Sequence, residues 1–393
     1  TQGSKLYSVL PADGVGDFTF SRGSAATRIN KDGLIETVAS GVSRLNYPLI
    51  DGVVNGCPSH LLEPSRTNII PRSEDIDTGW SKSNATVANN QTISPNGTLN
   101  AGLVTATSTT SQHILYDTLI GSVTAGADYF TSCFLKKSTT RYIRLTAGFS
   151  GGIIYIDLDT NSIISETGGA SESIMENYGN GWFRVGFKFT ADSSGNSQFA
   201  LYVNDNSNNN AYAGNGEAVY VFGAQLEQGS YPTSYIPNYG TSAGITRVAE
   251  TANGAGDAST FNDSEGVLMA EISSDNTSVG WIGLGSNSAN RILLGGNGTY
   301  IRSYNNIGGT IIDYTSSIIV SDNNKIAIKY KSGDTDIYIN GFKLFESNSA
   351  FSVSSPFDEI QFKNLAGETQ NFYGSTKQIQ YFDSALNDSD LET

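Results

Sequence analysis

Histidine and cysteine are almost missing from this chain of 393 residues, which holds two of each. Two cysteines cannot build a disulfide framework, and neither Cys57 nor Cys133 has a second Cys or a His at metal-ligand spacing. Both are expected to be buried thiols. A serine or cysteine triad would have to draw its imidazole from His60 or His113, and no Gly-x-Ser-x-Gly elbow accompanies either, so both are expected to be structural. Charge is scarce too: 16% of positions carry it, with 38 acidic against 23 basic side chains and a net charge of −15. No basic cluster is present to displace counterions from a phosphate backbone, which excludes nucleic acid as a partner. The longest apolar runs are a few residues, far short of the roughly 18 of a membrane-crossing helix, so no membrane insertion is expected. Glu, Lys, Gln and Leu are thin and Gly breaks nearly every window, which excludes a mainly helical fold.

What the chain has is 43 Gly, 20 Tyr and 18 Phe, with much Ser, Thr and Asn, the vocabulary of strands joined by turns. Its length suits two or three domains. Residues 1–65 alternate short apolar pieces with turn signals such as Asp13-Gly14, Lys31-Asp32-Gly33 and Asp51-Gly52, pieces too short to close a core alone. They are expected to pack on the next domain or on neighbouring copies of the chain. Residues 66–245 carry a strong period of two. In the stretch 182–189, Phe183, Val185, Phe187 and Phe189 share one face while Arg184 and Lys188 take the other, which predicts a half-buried antiparallel strand. Phe199, Leu201 and Val203 repeat the pattern, and Ile154, Ile156 and Leu158 alternate with Tyr155 and Asp157. A Pro- and Gly-rich stretch precedes a second strand region at 246–393, where Asn340-Gly341 between two alternating runs predicts a hairpin. Only 384–392 reads as a short helix, capped at Asn387 or Asp388. The expected fold is all-β: tandem antiparallel sandwiches of jelly-roll type behind an extended amino-terminal segment.

Three stretches carry a resemblance. Phe20-Ser21-Arg22-Gly23-Ser24-Ala25-Ala26-Thr27-Arg28, Leu61-Leu62-Glu63-Pro64-Ser65-Arg66-Thr67-Asn68, and the segment from Gly223-Ala224-Gln225-Leu226-Glu227 to Tyr235-Ile236-Pro237 resemble bacteriophage virion proteins of the fibre and adhesin type. The middle domain looks like a carbohydrate-binding module. The last third, with its Asp336–Phe345 hairpin, resembles a laminin-G or concanavalin-A-like jelly roll. The resemblance implies a virion structural protein on a tail or head fibre, multimeric and as a guess trimeric, bound to other virion proteins and to glycans of a host surface.

Candidate residues follow from that chemistry. A pyranose needs an aromatic plane flanked by Asp, Asn or Arg for its hydroxyls. Trp80 with Asn84, Trp281, and Tyr300 with Arg302, Tyr304 and Asn305 fit, with core packing as the alternative for each aromatic. Arg22, Arg28, Arg44 and Arg66 suit bidentate pairing with carboxylates at an interface between subunits, or within the chain. Asp205 and Asn209, in an Asn-rich run, are candidate calcium ligands, with a polar turn as the alternative and no other cofactor expected. Glycoside hydrolysis needs two facing carboxylates, and Glu74, Asp75 and Asp77 read instead as a solvated loop. The expectation is thus no catalysis, a glycan-binding virion protein, or alternatively a purely architectural decoration or collar protein; a polysaccharide depolymerase ranks third. The negative charge further implies that a glycan is held by stacking, hydrogen bonds or a bridging cation rather than by long-range attraction.

Overall fold

The computed structural model describes residues 5–7, 18–117, 122–148, 152–367 and 369–392. The Asp13-Gly14 turn lies outside them. The described residues form antiparallel sheets almost throughout, with one short helix, Asp388–Leu391, that starts at Asn387 without a side-chain cap.

Two sandwiches carry the mass of the chain. In the first, one sheet runs in the order Ala85–Ile93, Leu99–Ala106, Ala218–Gln228, Asp128–Lys137, Trp182–Thr190, Ser171–Asn177. The facing sheet runs Ser81–Ser83, Ile114–Asp117, Phe199–Val203, Tyr142–Ala147, Ile153–Asp157, Ser162–Thr167. Neighbours distant in sequence, such as Ile114–Asp117 beside Phe199–Val203, make this a jelly roll rather than a meander. Alternation supplies its core, where Ile143, Leu145, Ile154, Ile156, Val185, Phe187, Phe199 and Leu201 meet between the sheets.

The second sandwich pairs a five-stranded sheet, from Thr310–Ile319 through Tyr300–Ile307, Asn290–Gly296 and Gly280–Asn287 to Glu359–Gln361, with an eight-stranded one. The hairpin Thr335–Ile339/Phe342–Ser347 forms the edge of the larger sheet, and its turn has Asn340 at φ 53° and Gly341 at φ 80°, the left-handed pair that a type I′ turn demands. At the opposite side this sheet is completed from far away. Ser59–Leu62 pairs with Gly374–Phe382, and Leu45–Asn46 extends it by one more strand.

The amino-terminal segment therefore packs on its own chain, and on both sandwiches. Its hairpin Ala26–Ile29/Ile35–Val38 brings Ile29 and Ile35 against Phe134, Trp182, Phe222 and Tyr235 on the outer face of the first sandwich. The Asp51-Gly52 turn rests on another turn of that sandwich, where a Cβ on Gly52 would come within 2.5 Å of the Gly179 nitrogen. This cover corrects one expectation. Arg184 does not face solvent: it is buried, donates to Ser132 Oγ at 3.2 Å and lies 5.9 Å from the Phe134 ring. The outer face of that sheet is roofed by a segment more than 140 residues away, so alternation along the strand could not reveal it. Cys57, expected to be buried, is exposed, while Cys133 is buried.

Charge fastens the three parts together. The Glu250 carboxylate, wholly buried, accepts from Arg22 at 2.6 Å and from the Arg44 Nε at 2.9 Å, and it also takes the Glu63 backbone N–H at 2.9 Å. Glu63 in turn binds Arg44 at 2.8 Å, Arg247 at 2.9 Å and the Ser234 hydroxyl at 2.6 Å. Burial alone would raise the Glu63 pKa, but Arg247, Arg44 and Ser234 outweigh it and hold the carboxyl at about 2. His60 beside this cluster is buried with neither ring nitrogen hydrogen-bonded among the described residues, and desolvation, with Arg44 adding to it, pushes its pKa down to about 3.

Two predictions follow from this cluster. Glu250→Gln leaves the buried Arg22 without its counter-charge and Arg44 with Glu63 alone, and should cost about 3–5 kcal/mol in denaturant titration and open residues 22–62 to limited proteolysis. Acid should also destabilise early. A proton prefers the unfolded His60, so stability is lost as pH falls below about 6.5 and continues to fall towards 3, reaching about 2 kcal/mol by pH 5. Glu63 adds loss only as pH falls from about 4.5 towards 2. His60→Gln should flatten the stability profile between pH 6.5 and 5; an unchanged slope would contradict the assignment.

Candidate functional site

The outer face of the Tyr142–Ala147 sheet gathers aromatic rings around a cation. Ile143, Leu145 and Ala147 fill the core, which turns Tyr142, Arg144 and Thr146 outward. The same phase sends out Tyr155 between Ile154 and Ile156, Tyr202 between Leu201 and Val203, and Ile114 and Tyr116 on either side of Leu115. Register then aligns them. Ile114 lies opposite Tyr202, Tyr202 opposite Arg144, and Arg144 opposite Tyr155, one unbroken row across four strands. With strands about 4.8 Å apart, Tyr202 to Tyr155 spans about 10 Å, the reach of two sugar rings. Tyr116 and Tyr142 flank the row one step along their strands, and all four tyrosines are half-buried, presenting part of each ring to solvent.

Two arginines organise this face. The Arg144 guanidinium lies 4.4 Å from the Tyr202 ring centroid, and Arg141 lies 4.8 Å from that of Tyr142. Arg141 also forks onto Asp157 at 2.9 and 2.6 Å, which holds that carboxyl well below the usual carboxylate range. A planar cation laid on a ring keeps both in place without covering the ring's far side. The arrangement can stack saccharide rings and donate to their hydroxyls, and it holds no nucleophile, no imidazole and no facing carboxylate pair.

The sequence-derived candidates fall elsewhere. Trp80 is 5% exposed, edge-on to Phe199 in the first core, and its indole N–H donates to the Arg72 carbonyl at 2.9 Å. Asn84 takes φ 50° in a turn, donates to the Gln112 carbonyl and accepts from His113 through its backbone oxygen. Trp281, Arg302 and Tyr304 do come together on the outer face of the five-stranded sheet, with Arg302 5.6 Å from the Trp281 ring and 5.8 Å from that of Tyr304. Trp281 is nonetheless 3% exposed, its indole bound to Gln370, and Arg302 is already forked onto Asp313 at 2.9 and 2.6 Å. Tyr300 is open at the start of that strand, whereas Asn305 points into the core and accepts from the Leu293 N–H at 3.3 Å. Burial closes Trp80, Trp281 and Asn305 alike as ligand contacts.

The four interface arginines all find partners within the chain: Arg22 and Arg44 on Glu250, Arg28 on Glu36 at 2.8 Å, and Arg66 near Glu227 at 3.9 Å. Asp205 accepts from the Ser207 and Asn209 backbone N–H groups and from the Asn209 side-chain amide, the geometry of a closed polar turn. Among the described residues no group of three acidic, His or Cys side chains is placed to hold a metal ion. Glu74 is half-buried, accepting from Asn100 at 3.0 Å, while Asp75 closes a turn onto Thr78. An open cleft of about 990 Å³ between the sandwiches is lined by Arg66, Tyr231, Asn276, Gln370, Asn371 and Tyr373, with Arg66 5.4 Å from the Tyr231 ring.

No family model and no curated protein matches the chain. Solved structures are similar to parts of the chain at low identity. Domain 4 of AbnA, a GH43 arabinanase from Geobacillus stearothermophilus in complex with arabinotriose, is 14% identical over 37% of this chain and 71% of its own, with a TM-score of 0.30. The CBM40 of Ruminococcus gnavus IT-sialidase, bound to α2,3-sialyllactose, is 17% identical over 36% of this chain and 91% of its own, TM-score 0.29. Domains LG4-5 of the mouse laminin α1 chain are 11% identical over 72% of this chain and 90% of their own, TM-score 0.25.

The placement of the tryptophans is directly measurable. Trp80, Trp182 and Trp281 are 5%, 1% and 3% exposed, so acrylamide should quench native emission several-fold less than emission of the urea-unfolded chain. Near-equal quenching would place at least one indole at the surface.

Proposed function

We propose that this chain is a non-catalytic structural protein of a bacteriophage particle, which holds carbohydrate of a bacterial surface on the tyrosine face of its first sandwich. The observation that carries the binding half is the row Tyr202–Arg144–Tyr155, flanked by Tyr116 and Tyr142: aromatic planes at saccharide spacing on a rigid sheet. The virion half rests on the resemblance of the 20–28, 61–68 and 223–237 segments to fibre and adhesin proteins. Arg22, Glu63, Arg66, Gln225, Glu227 and Ser234 from those segments are the side chains that knit the buried junction, so the resemblance concerns a way of joining modules. In a homotrimer, weak sites on rigid sandwiches would add through avidity, without chemistry.

Glycan-array binding of the intact protein, with and without calcium, tests this reading. A saccharide signal that falls about tenfold in Tyr155→Ala and Tyr202→Ala, with the melting temperature held within a few degrees, is expected. Absence of signal for any bacterial polysaccharide under either condition would overturn the binding half and favour the purely architectural protein; release of reducing sugar would revive the depolymerase.

A further inference from the structure

Arg144 differs from every other arginine of this chain. Arg22, Arg28, Arg44, Arg66, Arg72, Arg141, Arg247 and Arg302 each have a carboxylate within 4.0 Å, Arg184 donates to Ser132, and Arg291 donates to Asn364. Arg144 has neither an ion pair nor a hydrogen bond among the described residues, and its Nε is buried with no acceptor. Arg184 and Arg291 also lack a carboxylate but have a hydrogen-bonding partner, so what sets Arg144 apart is the absence of either among the described residues. Three residues earlier on the same face, Arg141 shows the satisfied state, forked onto Asp157.

The stacking partner explains why Arg144 stays in place without an acid. Tyr202 lies 4.4 Å beneath the guanidinium carbon, which holds the plane while leaving its two Nη groups to an acceptor lying alongside them. A guanidinium rim matches the two oxygens of a carboxylate better than it matches single hydroxyls. Tyr155 stands opposite Arg144 on the next strand, placed to stack the ring that bears such a group.

We propose that the ligand of this face is an acidic saccharide, and that Arg144 binds the carboxylate of a uronic or sialic acid residue. The inference rests on the glycan-binding reading of the same face. It is compatible with the net charge of −15, because repulsion from distant carboxylates is screened beyond about 8 Å at physiological salt, whereas a fork at contact distance is not.

The test uses the intact protein and three sets of probes: oligosaccharides bearing galacturonic, glucuronic or N-acetylneuraminic acid, their carboxyl-reduced counterparts, and neutral oligosaccharides. Titration calorimetry should show at least one acidic probe bound about tenfold or more tightly than its reduced form. Arg144→Gln should remove that preference while changing the affinity of the reduced form less than twofold, and Tyr155→Ala should weaken both forms alike. Circular dichroism melts confirm that each variant is folded. Equal binding of acidic and reduced forms, or an acid preference that survives Arg144→Gln, would overturn the role of Arg144 and leave glycan binding standing. Absence of binding to every probe would overturn both.

Discussion

A carboxylate buried between two guanidiniums is the constraint on which the rest of the molecule depends. Glu250 is drawn from the linker between the sandwiches, Arg22 and Arg44 from the amino-terminal segment, and the Glu63 backbone from the strand that enters the second sandwich. None of these groups tolerates a dry environment alone, so all must arrive together. Once they do, the amino-terminal hairpin is pinned over Phe134 and Trp182, and Ser59–Leu62 is set in register with Gly374–Phe382. A hydrophobic junction of equal area would hold the parts with less regard for angle. Forked hydrogen bonds fix both distance and orientation.

That junction leaves the candidate binding face free. The segment roofs one sheet of the first sandwich, and the tyrosine row sits on the other. One face of the jelly roll thereby holds the protein together, and the other is left open to solvent. The tyrosine face lies on strands rather than on loops, so its side chains are spaced by the backbone ladder and need little ordering on binding.

Strand content, the sandwich class and the Asn340-Gly341 turn were legible because their signals are local: alternation over a few residues and two residues that accept positive φ. The fate of residues 1–65 was not, since Arg44 and Glu250 are 206 residues apart and nothing in either neighbourhood names the other. The site was half legible. Tyr155 alternating with Ile154 and Ile156 already stood outward, and the same parity argument applied to Tyr300, Arg302 and Tyr304 turns Asn305 inward. Cross-strand register, which alone puts Tyr202, Arg144 and Tyr155 in a row, is a property of folded pairs. Trp80 and Trp281 drew notice as large aromatics near amides, yet Trp80 goes to the core with its indole on the Arg72 carbonyl, and Trp281 is covered on the outer face of its sheet with its indole on Gln370.

The strand Ser59–Leu62 has a consequence for the order in which the protein comes into being. A ribosome delivers its partner Gly374–Phe382 some 310 residues after it. Until then the second sandwich lacks a wall, and the early strand has an unpaired edge that must be kept from the edges of other chains. At the usual pace of synthesis, about 5–20 residues per second, that wait lasts about 15–60 s. The first sandwich can form meanwhile, whereas the second closes only once Gly374–Phe382 has been made.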